Sequence, residues 1–213
     1  MKRTISVFVE GGGKKGRHGN GSAALRKGFN ALLRHQQAAA LDKGFEWELA
    51  MCGGGAEAIK AFCDAACRKS GDILALLVDS EAPVENSAPR GRVAHLVRHD
   101  KAQGLLQVDP SAAHLMTQSM EAWIIADCDA LEKYYGSAFA MKPHSHDREL
   151  DDLSTSTLLE VLKKATAGTP KKAYRKVDNS AELLRTIRPE IVARYCASFR
   201  HFVCWLDAVI EAS

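Results

Sequence analysis

The run Ile73-Leu-Ala-Leu-Leu-Val78 constrains this chain more than any other segment. It is too short to span a membrane and lacks the polar alternation of a half-solvated strand. Such a run describes a strand covered on both faces, as in the middle of a parallel sheet. Its surroundings agree. Thr4 to Val9 alternates and is rich in β-branched residues, and Phe45 to Met51 alternates again, so both read as strands. Between them Ser22 offers an N-cap to a helix reaching about Leu41, with Leu25, Phe29, Leu32 and Leu33 at helical spacing. The triplet Gly53 to Gly55 leads into a second helix, about Ala56 to Arg68, with Ile59, Phe62, Cys63 and Ala66 on its core face.

Strand, helix, strand, helix, strand is the alternation of an α/β domain with a mostly parallel sheet flanked by helices. A short helix at Val93 to His99, a strand at His114 to Gln118 and a helix at Met120 to Leu131 continue it. From Tyr134 the texture changes. Segment 136–157 is polar and carries Glu149, Asp151 and Asp152, and helices are predicted at 156–167, 180–187 and 189–211, the last with Pro189 in its first turn. The expected architecture is a Rossmann-like α/β core over 1–130 and a helical extension over 131–213 packed on it.

A chain of 213 residues, 46% hydrophobic and 26% charged, can bury a core without disulfide or metal staples. Those proportions exclude a disordered or fibrous chain. With 29 Lys+Arg against 26 Asp+Glu, the net charge of +3 leaves any nucleic-acid contact to local patches. The six cysteines are scattered without a C-x-x-C or a zinc-site spacing, so they read as reduced thiols, Cys63 and Cys67 in the core. No stretch approaches the roughly 18 apolar residues of a spanning helix. The apolar run after Met1-Lys2-Arg3 is too short for an export signal, so a cytoplasmic location is expected.

Ligands of open parallel sheets bind beyond the carboxyl ends of the strands. The first strand ends at Glu10 and the third at Asp79-Ser80-Glu81. If 79–81 stays extended, Asp79 and Glu81 project to the same side. Three carboxylates would then meet at one sheet edge, and their repulsion would keep them protonated unless a cation intervened. An all-oxygen set suits Mg2+ or Mn2+. Glu121, near the end of the fourth strand, is the auxiliary acid; Asp127 does not share its helical face well. The plainer alternative is that such acids merely open solvated loops.

The glycine loop after Glu10 formally matches a dinucleotide fingerprint at Gly11, Gly13 and Gly16. The following helix starts late, however, and the second strand ends at Met51-Cys52 without an acid for a ribose. Glu10 would also repel a pyrophosphate, so a dinucleotide oxidoreductase is set aside. What the loop offers is the amides of Gly11, Gly12 and Gly13 beside Lys14, Lys15 and Arg17, a surface for a polyanion. A second basic group, Lys171, Lys172, Arg175 and Lys176 around Tyr174, suits a nucleic-acid backbone. Both groups are also compatible with plain solvated surface, and Lys176 can instead fold back onto the acids as their electrostatic partner.

Two motifs together resemble a TOPRIM domain: Val7-Phe-Val-Glu10-Gly11 and Leu77-Val-Asp79-Ser80-Glu81. The stretch His114 to Asp127, with Lys133-Tyr-Tyr-Gly136 after it, resembles a family of small bacterial TOPRIM-like proteins related to OLD-type nucleases. Members of that family are often encoded beside AAA-type ATPases in phage-defence or mobile loci. The resemblance implies Mg2+-dependent phosphodiester chemistry, with Glu10 as general acid/base or metal ligand and Asp79 with Glu81 holding the metal. This chain has Asp-x-Glu where the pattern has Asp-x-Asp. It carries neither a topoisomerase tyrosine nor a primase zinc ribbon, which favours the nuclease branch. A catalytically weak adaptor regulating an ATPase is the alternative. A homo-oligomer is compatible with either reading.

Overall fold

The computed structural model describes residues 2–12, 20–68, 71–144 and 149–213. Four strands, β1 (Thr4–Val9), β2 (Glu46–Met51), β3 (Ile73–Asp79) and β4 (Ala113–Met116), form one sheet in the order β2-β1-β3-β4. Every neighbouring pair is parallel. This is the Rossmann-like α/β architecture that the apolar run demanded, with β3 in the interior of the sheet.

Side-chain alternation splits the core into two layers. Ile5, Val7, Val9, Ala75, Leu77 and Met116 face one side, where α1 (Asn20–Leu32) and α2 (Arg34–Asp42) lie. Leu76, Val78, Ala113 and Leu115 face the other, against α3 (Gly55–Ala66) and α4 (Pro89–Asp100). Burying both faces of β3 in this way explains why its sequence does not alternate.

The remaining helices are α5 (Glu121–Ala126), α6 (Cys128–Tyr135), α7 (Thr155–Thr166), α8 (Lys176–Thr186), α9 (Pro189–Tyr195) and α10 (Ala197–Glu211). Their apolar residues Leu158, Leu183, Val192, Phe199 and Phe202 join the same cluster as Ile5 and Leu77. At its centre Trp123 is fully buried, edge-to-face on Phe199 at 4.9 Å, with its indole N–H donating to Ser198 Oγ at 3.0 Å. Trp123→Ala is therefore expected to cost about 3–5 kcal/mol, measured by denaturant unfolding with an unchanged m-value.

Three helices predicted as continuous are broken, each for a local reason. The helix from Ser22 breaks at Leu33, whose φ of −100° and ψ of 21° leave the helical region. The helix from Met120 breaks at Asp127, whose carboxylate caps Ala130 N–H and accepts three hydrogen bonds from Arg188. The helix from Pro189 breaks at the extended Cys196, where Glu149 and Asp151 accept the N–H groups of Ala197 and Ser198. The acidic run of the polar segment is thus the cap of α10. All six cysteines are free thiols, and Cys196 is the buried one. Cys63 is half-buried and Cys67 exposed, so Cys67 is not the core residue expected.

Candidate functional site

The strand order reverses direction at β1 and β3: the chain leaves β1 for β2 on one side and comes back to β3 on the other. The crevice beyond their carboxyl ends is the position where such sheets bind ligands. β1 delivers Glu10 there and β3 delivers Asp79. The two are joined directly, Asp79 N–H donating to Glu10 Oε2 at 3.0 Å. Met120 N–H donates to Asp79 Oδ1 at 2.9 Å, which fixes the Asp79 carboxylate from the start of α5.

Glu121, the first residue of α5, is completely buried. Its Oε1 accepts the hydroxyl of Tyr174 at 3.0 Å. Among the described residues its Oε2 has no hydrogen-bond partner in regular geometry and lies 3.3 Å from the ammonium of Lys176. The same ammonium lies 3.1 Å from Asp79 Oδ2. Lys176 therefore folds back onto the acids. Burial pulls its pKa down, but the charges of Asp79 and Glu121 outweigh burial and hold it well above the usual lysine range. Lys176 is carried by α8, which packs along α1; a Cβ on Gly28 would lie 2.7 Å from the Ala181 carbonyl oxygen. A glycine at that contact lets α8 come close enough for Lys176 to reach Asp79.

Three carboxylates share this one ammonium. Burial, and then the charge of Glu121, raise the Asp79 pKa. Burial, and then the charge of Asp79, push Glu10 up to about 7. Glu10 holds its proton up to about pH 7 when folded but only to 4.5 when unfolded, so its contribution to stability is lost as pH rises between those values. Wild type is expected to lose melting temperature relative to Glu10→Gln from pH 5 to 8 in metal-free buffer. Taking the difference between the two proteins cancels the titrating groups that do not interact with Glu10, and a flat difference would contradict the raised pKa.

A cavity of about 480 Å³ opens from the cluster. Leu25, Met116 and Met120 form apolar wall, and Val177, 84% exposed, stands at it beside Lys176. Gly11 and Gly12 line it, but the Gly11 amide does not offer itself to a phosphate. It donates to the Gly53 carbonyl at 2.7 Å, in a bridge that needs the positive φ of 131° at Gly11. Gly13, Lys14, Lys15 and Arg17 lie outside the described residues.

Two sequence expectations are corrected. Residues 79–81 do not stay extended: Glu81 has φ 54° and is exposed, because Ser80 is pinned by Gln118 N–H and the Ala82 carbonyl and turns the chain. Glu81 contributes charge near Glu10 rather than a second group paired with Asp79. Tyr174 is buried and holds Glu121, so it is no stacking platform for a base. Lys172, at φ 66°, is exposed and does not line the cavity, whereas Lys171 lies over the Tyr134 ring at 4.3 Å. Sequence reasoning missed the Tyr174–Glu121 bond; the paired signal was a lone aromatic among bases within reach of a lone acid. Among the described residues no three His, Cys, Asp or Glu side chains form a ready-made metal cage.

Fold and site together define the class: a parallel α/β protein with a buried acid–lysine cluster at its topological switch point. The family profile described as domain of unknown function (DUF4276) matches residues 9–207, and the chain belongs to that family. Neither the curated proteins nor the solved structures contain a match to it. Among the described residues no helix is long and apolar enough to cross a membrane.

Proposed function

We propose that this chain is a TOPRIM-like, Mg2+- or Mn2+-dependent nuclease that hydrolyses phosphodiester bonds of DNA or RNA. It would work in the cytoplasm as a defence effector beside an AAA-type ATPase. The observation that carries this reading is the charge imbalance at the switch point, where among the described residues Glu10, Asp79 and Glu121 face one ammonium. Such a cluster favours a further cation, and its donors are all oxygen, the chemistry of Mg2+ and Mn2+. Glu121 Oε2 is buried, and its polar contact among the described residues is the Lys176 ammonium at 3.3 Å.

Glu10 and Asp79 would hold the ion on the cavity side, since Lys176 fills the gap between Asp79 and Glu121. When bound, the ion supplies Lewis-acid stabilisation of the phosphate and a water of lowered pKa. The chain's own residues do the rest. Before an ion binds, burial and Asp79 push the Glu10 pKa up to about 7; with the ion held, Glu10 would stay a carboxylate that orients the attacking water. Lys176 neutralises charge on the phosphate. Met120 N–H and Tyr174 keep the Asp79 and Glu121 carboxylates from rotating. The apolar wall gives a sugar or base a surface to rest on.

The test is incubation of purified protein with single- and double-stranded DNA and RNA, with Mg2+, Mn2+ or a chelator. Metal-dependent cleavage lost on chelation supports the reading. The second reading, an adaptor for an ATPase that retains the fold without turnover, is favoured by the turned-out Glu81 and by the lack of a ready-made cage among the described residues. Calorimetry showing no Mg2+ or Mn2+ binding, together with stable association with the ATPase, would select it.

A further inference from the structure

A second cavity, of about 260 Å³, lies beside β4, the edge strand of the sheet, and shares no lining residue with the acid–lysine cavity. His114 of β4 forms its floor. The His114 side chain is 2% exposed, and its Nε2 has no hydrogen-bond partner among the described residues. The ring packs between Phe202 and Trp205, with centroids 5.1 and 4.8 Å away. An unpartnered buried nitrogen costs about 1–3 kcal/mol. Packing therefore gives no reason for histidine here, while a ligand would.

The charges around it point to the ligand's chemistry. Arg92 of α4 lines the same cavity, donating to the carbonyls of Ala113 and Ser87 at 2.6 Å each. Among the described residues no carboxylate lies within 4.0 Å of its guanidinium. His201 of α10 stands exposed at the rim. Burial, then Arg92, then His201 drive the His114 pKa down to about 3. Burial, Arg200 and Arg92 lower His201, against the pull of Glu149. Three acids also line the cavity, and two of them, Asp151 and Glu149, are engaged. Asp151 accepts Ser198 N–H and Oγ–H at 2.7 and 2.9 Å, and Glu149 accepts Ala197 N–H and faces Arg200. Asp152 is exposed. Burial, ahead of its acidic neighbours, raises Asp151 to about 6.

We propose that this cavity is a second ligand site, taking a small molecule with a carboxylate or phosphate group between Arg92 and the free nitrogen of His114, with His201 at its mouth. An oxyanion there accepts a hydrogen bond from the ring nitrogen and supplies the counter-charge that Arg92 lacks. The volume lies just below the usual range for ligand pockets, which suits a small anion or metabolite rather than a polymer. The site stands independently of the nuclease reading.

The test is 15N NMR of the His114 imidazole in the full chain, titrated with inorganic phosphate in one arm and acetate in the other, at ionic strength matched with sodium chloride. A saturable shift of the Nε2 signal below about 10 mM, with the His114 midpoint moved up by a unit or more, is expected in at least one arm; which arm responds identifies the oxyanion. His114→Phe should melt at or above the wild-type temperature and lose the thermal upshift that the same anion gives wild type. No saturable shift in either arm, or an equal upshift in His114→Phe, would overturn the proposal.

Discussion

In Lys176→Met, the melting temperature at pH 8 is expected to fall by roughly 4–12 °C, and any metal-dependent cleavage to be lost. The substitution keeps most of the side-chain volume and removes the ammonium that bridges Asp79 and Glu121. Breaking a buried pair leaves an uncompensated charge. Because Lys176 is itself about half exposed, the cost belongs at or below the low end of the usual range, about 2–3 kcal/mol. At this chain length each kcal/mol corresponds to roughly 2–4 °C. The deficit should shrink at pH 5, where Glu10 holds its proton and Asp79 is moved in the same direction. A divalent ion should rescue Lys176→Met more than it stabilises wild type, because it replaces the missing positive charge. Thermal melts at both pH values, with and without Mg2+, check all three statements.

Asp79→Asn is expected to keep the fold and lose cleavage by about 10³-fold or more, the size of a lost metal-held charge of several kcal/mol. Its amide oxygen can still accept Met120 N–H, so the loop between β4 and α5 remains tied to β3. Glu121 still pairs with Lys176, so no buried charge is stranded. A single-turnover assay on the nucleic acid that wild type cuts, alongside a thermal melt, separates lost chemistry from lost structure. A folded Asp79→Asn protein that cuts at the wild-type rate would remove Asp79 from the proposed machinery.

The two outcomes rest on different parts of the sequence, and these were unequally legible. The apolar run of β3 announced a strand buried on both sides, and strand-end acids followed from where parallel sheets bind ligands. Glu10 and Asp79 could therefore be chosen before their contact was visible. Glu81 could not be placed, because its backbone is set by Ser80 bonding to Gln118 and Ala82, partners that period-two reasoning does not see. The helix breaks at Asp127 and Cys196 were hidden for a similar reason. Their caps and ties come from Arg188, Glu149 and Asp151, distant in the chain. Lys176 was readable both as part of a basic surface and as a partner of the acids. The choice was made by how closely α8 approaches α1 at Gly28, a packing fact with no local signature.

The most direct measurement is a crystal structure of the protein grown with Mn2+ and recorded at the manganese absorption edge. The expected result is one anomalous peak at ligating distance from the Glu10 and Asp79 carboxylates, on the side facing the cavity. Lys176 bridging Asp79 and Glu121 with no manganese beside Glu10, in crystals saturated with the ion, would contradict a metal-dependent centre at this switch point.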